Sequence, residues 1–149
     1  MIRPIMTNEF FLSCPSDEAT SADGDIARDL VDTLRAHEDE CVGMAANMVG
    51  QRKRIIVFYD DGETVVMFNP EITSCDGPYL TREGCLSLEG TRPVRRFSSI
   101  EVSTKTSRVR SAQGATRALR LRSFSMRSIT VTASSFRGGF RAWTAIGSF

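Results

Sequence analysis

The 149-residue sequence contains no long apolar run and only one histidine, His37. A helix that spans a bilayer needs roughly 18 or more predominantly apolar residues, so the sequence predicts no transmembrane helix. The start of the chain also lacks the apolar core of a signal peptide. Four cysteines (Cys14, Cys41, Cys75 and Cys85) follow neither a disulfide-framework nor a zinc-finger spacing. This pattern favours a reducing, cytoplasmic location.

Acidic side chains are missing from the last third of the chain. Residues 1–103 hold all 18 Asp and Glu and 10 of the 19 Lys and Arg, a net charge of −8. Residues 104–149 hold the other 9 Lys and Arg together with 14 Ser and Thr. Hydrophobic periodicity also fails there. The sequence therefore predicts a globular part over 1–103 and a basic, poorly ordered tail over 104–149.

The globular part has the pattern of a small α+β domain. A helix is predicted from Asp25 to Glu40, capped by Asp23 or Gly24. Apolar residues and the histidine share one face of it at helical spacing: Ile26, Leu30, Leu34 and His37. His37 is therefore interpreted as a helix-face residue and not as a metal ligand.

Strands are expected after this helix. Buried strands within 52–58 and 64–69 flank an Asp-Asp-Gly turn signal, so the pair predicts a hairpin. Asn69-Pro70 is expected to break the second strand, with an extended path resuming over 71–74. A further strand is predicted to end at Ile100-Glu101-Val102.

Two short motifs carry the chemistry of this sequence. The first is CVGMAANMVG, from Cys41 to Gly50, and the second is EGCLS, from Glu83 to Ser87. In the second, a glycine precedes the cysteine, which allows the backbone to approach a ligand closely. With Asn69-Pro70 between them, the motifs resemble those of the peptide deformylases, in the same order and spacing, over residues 1–103. The resemblance implies antiparallel β-sheets around a helix.

The resemblance also implies a metal-dependent hydrolase. In that family a metal (iron, with zinc or nickel accepted) is held by one cysteine and the two histidines of an HExxH helix. The metal supplies hydroxide near neutral pH, which attacks the formyl carbon of an N-formylmethionyl nascent peptide at the ribosome. The HExxH glutamate transfers protons and an oxyanion hole stabilises the intermediate. No HExxH occurs here, so the implied fold is incomplete.

The family roles transfer to particular positions of this sequence. Cys85 corresponds to the metal ligand, although a buried core cysteine is the ordinary alternative. The N–H of Leu86 corresponds to an oxyanion donor. Met48 stands at the position of the glutamine that supplies the other donor, and a thioether cannot donate. Substrate-binding positions are Gly43, Met44, Glu83 and Gly84.

The spacing of Met44 and Met48 is typical of a helix, which would border the site and place both methionines in the core as well. Asn47 is a candidate replacement donor, but helical geometry would point its side chain away from Met48. Cys41 replaces the first glycine of the motif. Cys14, Cys41 and Cys75 receive no role.

The missing third motif is recovered when the tail is interpreted one base out of frame. From residue 124 to residue 136 the shifted codons permit Gln-His-Glu-Ile-Asp-His-Cys-Asp-Gly-Ile-Leu-Ile, which contains HExxH. The same shift permits Tyr-Gln-Asp over 103–106, which the family often has after this strand. We hypothesise a single-base deletion near the codon for Ser103. The tail would then be out-of-frame translation, which explains its composition.

As written, the chain is expected to be inactive and marginally stable, and not to bind Fe2+, Zn2+ or Ni2+ stably. Two alternatives remain open. One is a degenerate, non-enzymatic domain whose basic tail binds RNA or the ribosome in a salt-dependent manner. The other is a Cys85 thiol enzyme, for which no histidine is placed as a base. Neither a membrane nor a specific nucleic acid is expected as a partner.

Overall fold

The computed structural model of the protein describes residues 1–60, 62–109, 130–133 and 143–146. Four antiparallel strands form one sheet in chain order, and two short strands pair separately. The helices are α1 (Glu9–Ser13) and α2 (Gly24–Ala36), with 3-10 turns at Ser21–Asp23 and Ala46–Val49. The strands are β1 (Gly43–Ala45), β2 (Ile55–Asp60), β3 (Glu63–Cys85), β4 (Leu88–Val109), β5 (Thr130–Ala133) and β6 (Trp143–Ile146).

Helix α2 confirms the predicted amphipathic helix but ends four residues earlier than Glu40. Leu30 and Leu34 are fully buried, as the periodicity predicts. The helix stops because His37 leaves the helical region, with φ −124° and ψ 26°. Its N–H still donates to the Leu34 carbonyl at 3.0 Å, and residues 37–40 form turns. Asp23 is the N-cap residue, but its side chain makes no cap hydrogen bond to α2.

The β2–β3 hairpin forms as predicted, with Ile55 opposite Phe68 and Asp60 opposite Glu63. Both faces of β2 are buried, which explains its continuous apolar run. One face packs in a cluster with α2 and the first motif, and the other packs in a second cluster with Val65 and Met67. The core of the described residues therefore lies on both sides of this hairpin.

Strand β3 does not stop at Asn69-Pro70, so the predicted break is wrong. A register shift between Phe68 and Glu71 absorbs these residues, and Asn69 adopts a left-handed conformation with φ +48°. A β-bulge accommodates such residues without ending the strand. The strand then pairs with β4 as far as Cys85 opposite Leu88. In this part of the β3–β4 pair, Tyr79 and Leu80 are exposed.

The sheet continues beyond the predicted boundary at residue 103. Strand β4 runs to Val109, and its residues 105–109 lie opposite 64–68 of β3. The short strands β5 and β6 also fall within 104–149. The other residues of the predicted disordered tail lie outside the described part. Among the helices that the structure describes, none is long and apolar enough to cross a membrane.

Candidate functional site

The first motif forms a strand and a 3-10 turn, so the predicted helix over Met44 and Met48 is wrong. Met44 lies in β1 opposite Val57, and Met48 lies in the turn that follows. Antiparallel pairing with β2 holds residues 43–45 extended, and Gly50 ends the turn with φ +77°. Both methionines are almost completely buried, with exposures of 0% and 1%. Their side chains therefore belong to the core.

Gly43 lies where β1 approaches β2 closely. A Cβ built on Gly43 would be 3.0 Å from both the Phe58 Cβ and the Val57 carbonyl oxygen. This separation is tighter than nine in ten real Cβ contacts, so a neighbouring atom would have to move by a few tenths of an ångström. Packing alone therefore favours glycine at this position.

The second motif forms the tight connection between β3 and β4. Cys85 ends β3 opposite Leu88, and Leu86 and Ser87 form the turn. The Ser87 N–H donates to the Cys85 sulfur at 3.4 Å. Glu83 lies in β3 opposite Arg92, and Gly84 follows it next to Cys85.

The fold brings the two motifs together. Cys85 and Leu86 pack, partly buried, against the core cluster that contains Cys41, Met44 and Met48. These contacts join positions about 40 residues apart in the sequence. Residues of both motifs therefore pack in or against the same core cluster.

The sequence motifs did not predict the environment of Cys41. It is 1% exposed, and its thiol donates to the Gly43 carbonyl at 2.9 Å. Burial raises the pKa of the Cys41 thiol, and negative charge on the nearby Cys85 adds to that increase. The only sequence signal for Cys41 is that it replaces a motif glycine.

The Asn47 side chain contacts the amino-terminal segment. It is 2% exposed, and its Nδ2 donates weakly to the Leu12 carbonyl at 3.4 Å. Its Oδ1 has no hydrogen-bond partner among the described residues. The Met48 carbonyl accepts from the Met6 N–H at 2.8 Å, which ties the same segment to the turn. Asn47 thus links the turn to α1.

The residues present do not fit a catalytic metal. Within the described residues, no three His, Cys, Asp or Glu side chains gather closely enough to hold an ion. The one histidine, His37, is at the end of α2 with its Nδ1 2.9 Å from the Thr33 carbonyl. The sequence after Glu101 contains no His, Cys, Asp or Glu at all. Catalytic metal sites typically use three protein ligands, and the described residues do not bring three together.

Comparison with known proteins agrees with the two motifs. The polypeptide deformylase family model matches residues 8–119. A peptide deformylase of Clostridium beijerinckii is 49% identical over 102 residues, covering 68% of this chain and 75% of that protein. One from Dictyoglomus thermophilum is 40% identical over 77 residues, covering 51% of this chain and 49% of that protein.

Solved structures show the same likeness. A peptide deformylase from Legionella pneumophila superposes with a TM-score of 0.62 at 27% identity, covering 73% of this chain and 71% of that one. The Thermotoga maritima enzyme gives a TM-score of 0.62 at 25% identity, covering 70% and 74%. The α+β fold with antiparallel sheet is thus that of the family, in incomplete form. This chain belongs to the polypeptide deformylase family.

Proposed function

We propose that this chain derives from a metal-dependent peptide deformylase and that, in the frame translated here, it lacks the catalytic third of that enzyme. The observation that supports the proposal is the packing of Cys85 and Leu86 against the core cluster to which residues of the first motif belong. His37, the one histidine in the sequence, is hydrogen-bonded at the end of α2. The ancestral reaction is hydrolysis of the formyl group from N-formylmethionyl nascent peptides.

Cys85 is the proposed ancestral metal ligand, since it is the cysteine of the second motif and lies, partly exposed, at the turn between β3 and β4. The Leu86 N–H is the proposed oxyanion donor next to it. Gly43 of β1 is the proposed backbone partner of an extended substrate, and Met44, Glu83 and Gly84 are the other proposed substrate-binding residues. Met48, buried at the position of the family's glutamine, leaves the site without that side-chain donor.

The complete enzyme would use Fe2+, or Zn2+ or Ni2+, and would act in the cytoplasm on nascent chains at the ribosome. The present chain is not expected to bind any of these metals stably. A single thiolate cannot replace a cysteine and two histidines, because affinity depends on ligand number and geometry.

The missing ligands are accounted for by a single-base deletion near the codon for Ser103. The shifted frame over residues 124–136 permits an HExxH sequence, and the translated tail has no acidic residue after Glu101. Sequencing the DNA across codons 95–140 tests this directly. An intact HExxH frame obtained by restoring one base supports the deletion, and a DNA sequence that forbids HExxH in every frame overturns it.

The biochemical test compares three purified proteins: this chain, the frame-restored chain, and the frame-restored chain with Cys85→Ser. Hydrolysis of a formyl-Met-Ala peptide and metal content per chain are measured in each. We expect activity and near-stoichiometric metal only in the frame-restored chain. Activity in the present chain would contradict the proposed loss, and activity in the Cys85→Ser variant would contradict the ligand role.

A further inference from the structure

The far part of strand β3 has an open edge. Strand β2 pairs with β3 only from Glu63 to Phe68. Beyond that point, residues 74–83 of β3 pair with β4 on one side. On the other side they have no strand partner within the part of the chain that the structure describes. An unpaired edge of this kind is a template for another strand.

The side chains of this segment are also accessible. Every residue from Ser74 to Leu80 is exposed. Two of them are large and apolar: Tyr79 is 45% exposed and Leu80 is 78% exposed. Apolar side chains on an open strand edge favour association with a second strand.

We propose that two copies of this chain pair antiparallel through this edge of β3, about a two-fold axis at Tyr79. A two-fold contact must be self-complementary, because the same surface of each copy forms both halves. With Tyr79 on the axis, the residue three positions before it in one copy lies opposite the residue three positions after it in the other. Asp76 therefore meets Arg82, and the symmetry makes this ion pair twice. The dimer goes beyond the proposed function, since it requires neither metal nor hydrolysis.

The same register also joins the apolar side chains. Pairing with β4 continues without a register shift between Asp76 and Arg82, so side chains alternate between the two faces along this segment. Pro78 and Leu80 consequently share the face of Asp76 and Arg82, and each lies opposite the other in the paired copies. On the opposite face Tyr79 lies next to its own symmetry mate, a cross-strand aromatic pair. An apolar centre is thus flanked by two ion pairs.

Two features limit the strength of the contact. Pro78 has no N–H, so each copy loses one possible hydrogen bond of the new ladder, as is common on edge strands. The Arg82 Nε and Nη2 already donate to Thr91 of β4 at 3.2–3.4 Å, so the partner carboxylate would be bound through Nη1. A single short strand pair is also a small interface. We therefore expect a dimer whose population rises with protein concentration.

A cross-link tests the register. Tyr79→Cys in a Cys75→Ser chain places two thiols on the axis, where directly opposite Cα atoms of antiparallel strands are about 4.5–5.5 Å apart and a disulfide can form. Under a mild disulfide oxidant we expect a covalent dimer in which the introduced thiols are joined to each other. The parent chain is the matched control, because its exposed Cys75 would lie roughly 25 Å from the partner's Cys75 in this register. A monomeric variant, or a parent chain that cross-links as fast through Cys75, would overturn the proposal.

Charge reversal tests the complementarity without a cross-link. Sedimentation equilibrium at up to about 1 mM chain measures the dimer dissociation constant of the parent, Asp76→Arg, Arg82→Asp and the double variant. Each single change turns two attractive pairs into repulsive ones, so we expect a dimer at least about tenfold weaker. The double variant restores opposite charges and should recover most of the affinity. A monomeric parent, or a double variant no tighter than the single ones, would contradict the proposed contact.

A lysine at the centre of the segment tests the apolar contact. Leu80→Lys should abolish the dimer, because a charged side chain on an edge strand opposes pairing. Phe10→Lys is the matched control, since Phe10 is an equally exposed apolar residue, 81% accessible, on helix α1. It should leave the dissociation constant unchanged, and circular dichroism checks that both variants keep the fold. An equal loss of association in both variants would mean that general hydrophobicity, and not the β3 edge, joins the copies.

Discussion

Asn69 and Ala19 form a two-bond clamp between the β3 bulge and the loop before α2. The Asn69 Oδ1 accepts from the Ala19 N–H at 2.7 Å, and its Nδ2 donates to the Ala19 carbonyl at 2.8 Å. The Asn69 N–H also donates to the Arg54 carbonyl at 2.8 Å. The left-handed backbone of Asn69, with φ +48°, directs the side chain to Ala19. Asparagine tolerates this conformation better than most residues.

The clamp predicts a graded loss of stability. Asn69→Ala removes both hydrogen bonds and leaves the buried Ala19 N–H unpaired, so we expect a loss of about 1–3 kcal/mol in the free energy of unfolding. Asn69→Gly also removes both hydrogen bonds but adopts the left-handed backbone without a steric penalty, so it should still destabilise the chain, by less than Asn69→Ala. Urea unfolding followed by circular dichroism measures both. Full stability in Asn69→Gly would show that backbone strain, and not the clamp, determines the effect.

A substitution at Gly43 tests whether close packing alone requires glycine at this position. Gly43→Ala places a methyl group against Phe58 and Val57, so we expect destabilisation of about 1–3 kcal/mol, as for overpacked cores. Gly24→Ala is the control, because nothing lies within 4 Å of its added Cβ. It should stabilise the first turn of α2 by up to about 1 kcal/mol. Thermal unfolding of both variants checks this, and a neutral Gly43→Ala would contradict the close approach.

The hydrogen bonds of Asp29 should make the stability of the fold depend on pH in the acid range. The Met1 ammonium and then the Arg3 side chain donate hydrogen bonds to Asp29, and these lower the pKa of its carboxyl below the usual 3.8. A depressed folded-state pKa stabilises the fold above the unfolded-state value. That contribution is lost as the pH falls from about 4 through the lower folded-state value. We therefore expect Asp29→Asn to flatten the acid side of a stability–pH profile.

The matched control is Asp39→Asn, in the exposed turn after α2. It should leave the acid side of the profile unchanged. Urea midpoints between pH 3 and pH 7 (roughly the range of carboxyl titration) measure both variants. Parallel profiles for Asp29→Asn and the parent chain would refute the assignment.

The sequence predicted those elements of the fold that are determined by neighbouring residues. Helix α2 and the β2–β3 hairpin are encoded by periodicity and apolar runs in neighbouring residues, and both form. The break at Asn69-Pro70 was wrong because a bulge can absorb residues that usually end strands. The length of β3 is fixed by its pairing with β4, which no local pattern shows.

The functional roles of Cys85 and Gly43 stay predictions, but the local structure around the first motif can be compared with what was expected. An i, i+4 spacing fits a strand followed by a turn as well as a helix. Met44 and Met48 were therefore misassigned to one helix. The contact of Cys85 with the cluster around Cys41 is tertiary, so the motif that drew attention to Cys85 could not reveal it.

Substitutions at Met48 test whether this buried position is only part of the core or retains room for a polar side chain. Met48 is 1% exposed, and Met48→Gln would bury an amide in an apolar cluster. An unpaired buried amide costs about 1–3 kcal/mol, so we expect a loss of that size. Met48→Leu keeps the apolar volume and should cost less than about 1.5 kcal/mol. Urea unfolding compares the two. A neutral Met48→Gln would mean that a polar partner or water reaches this position, as the ancestral oxyanion role requires.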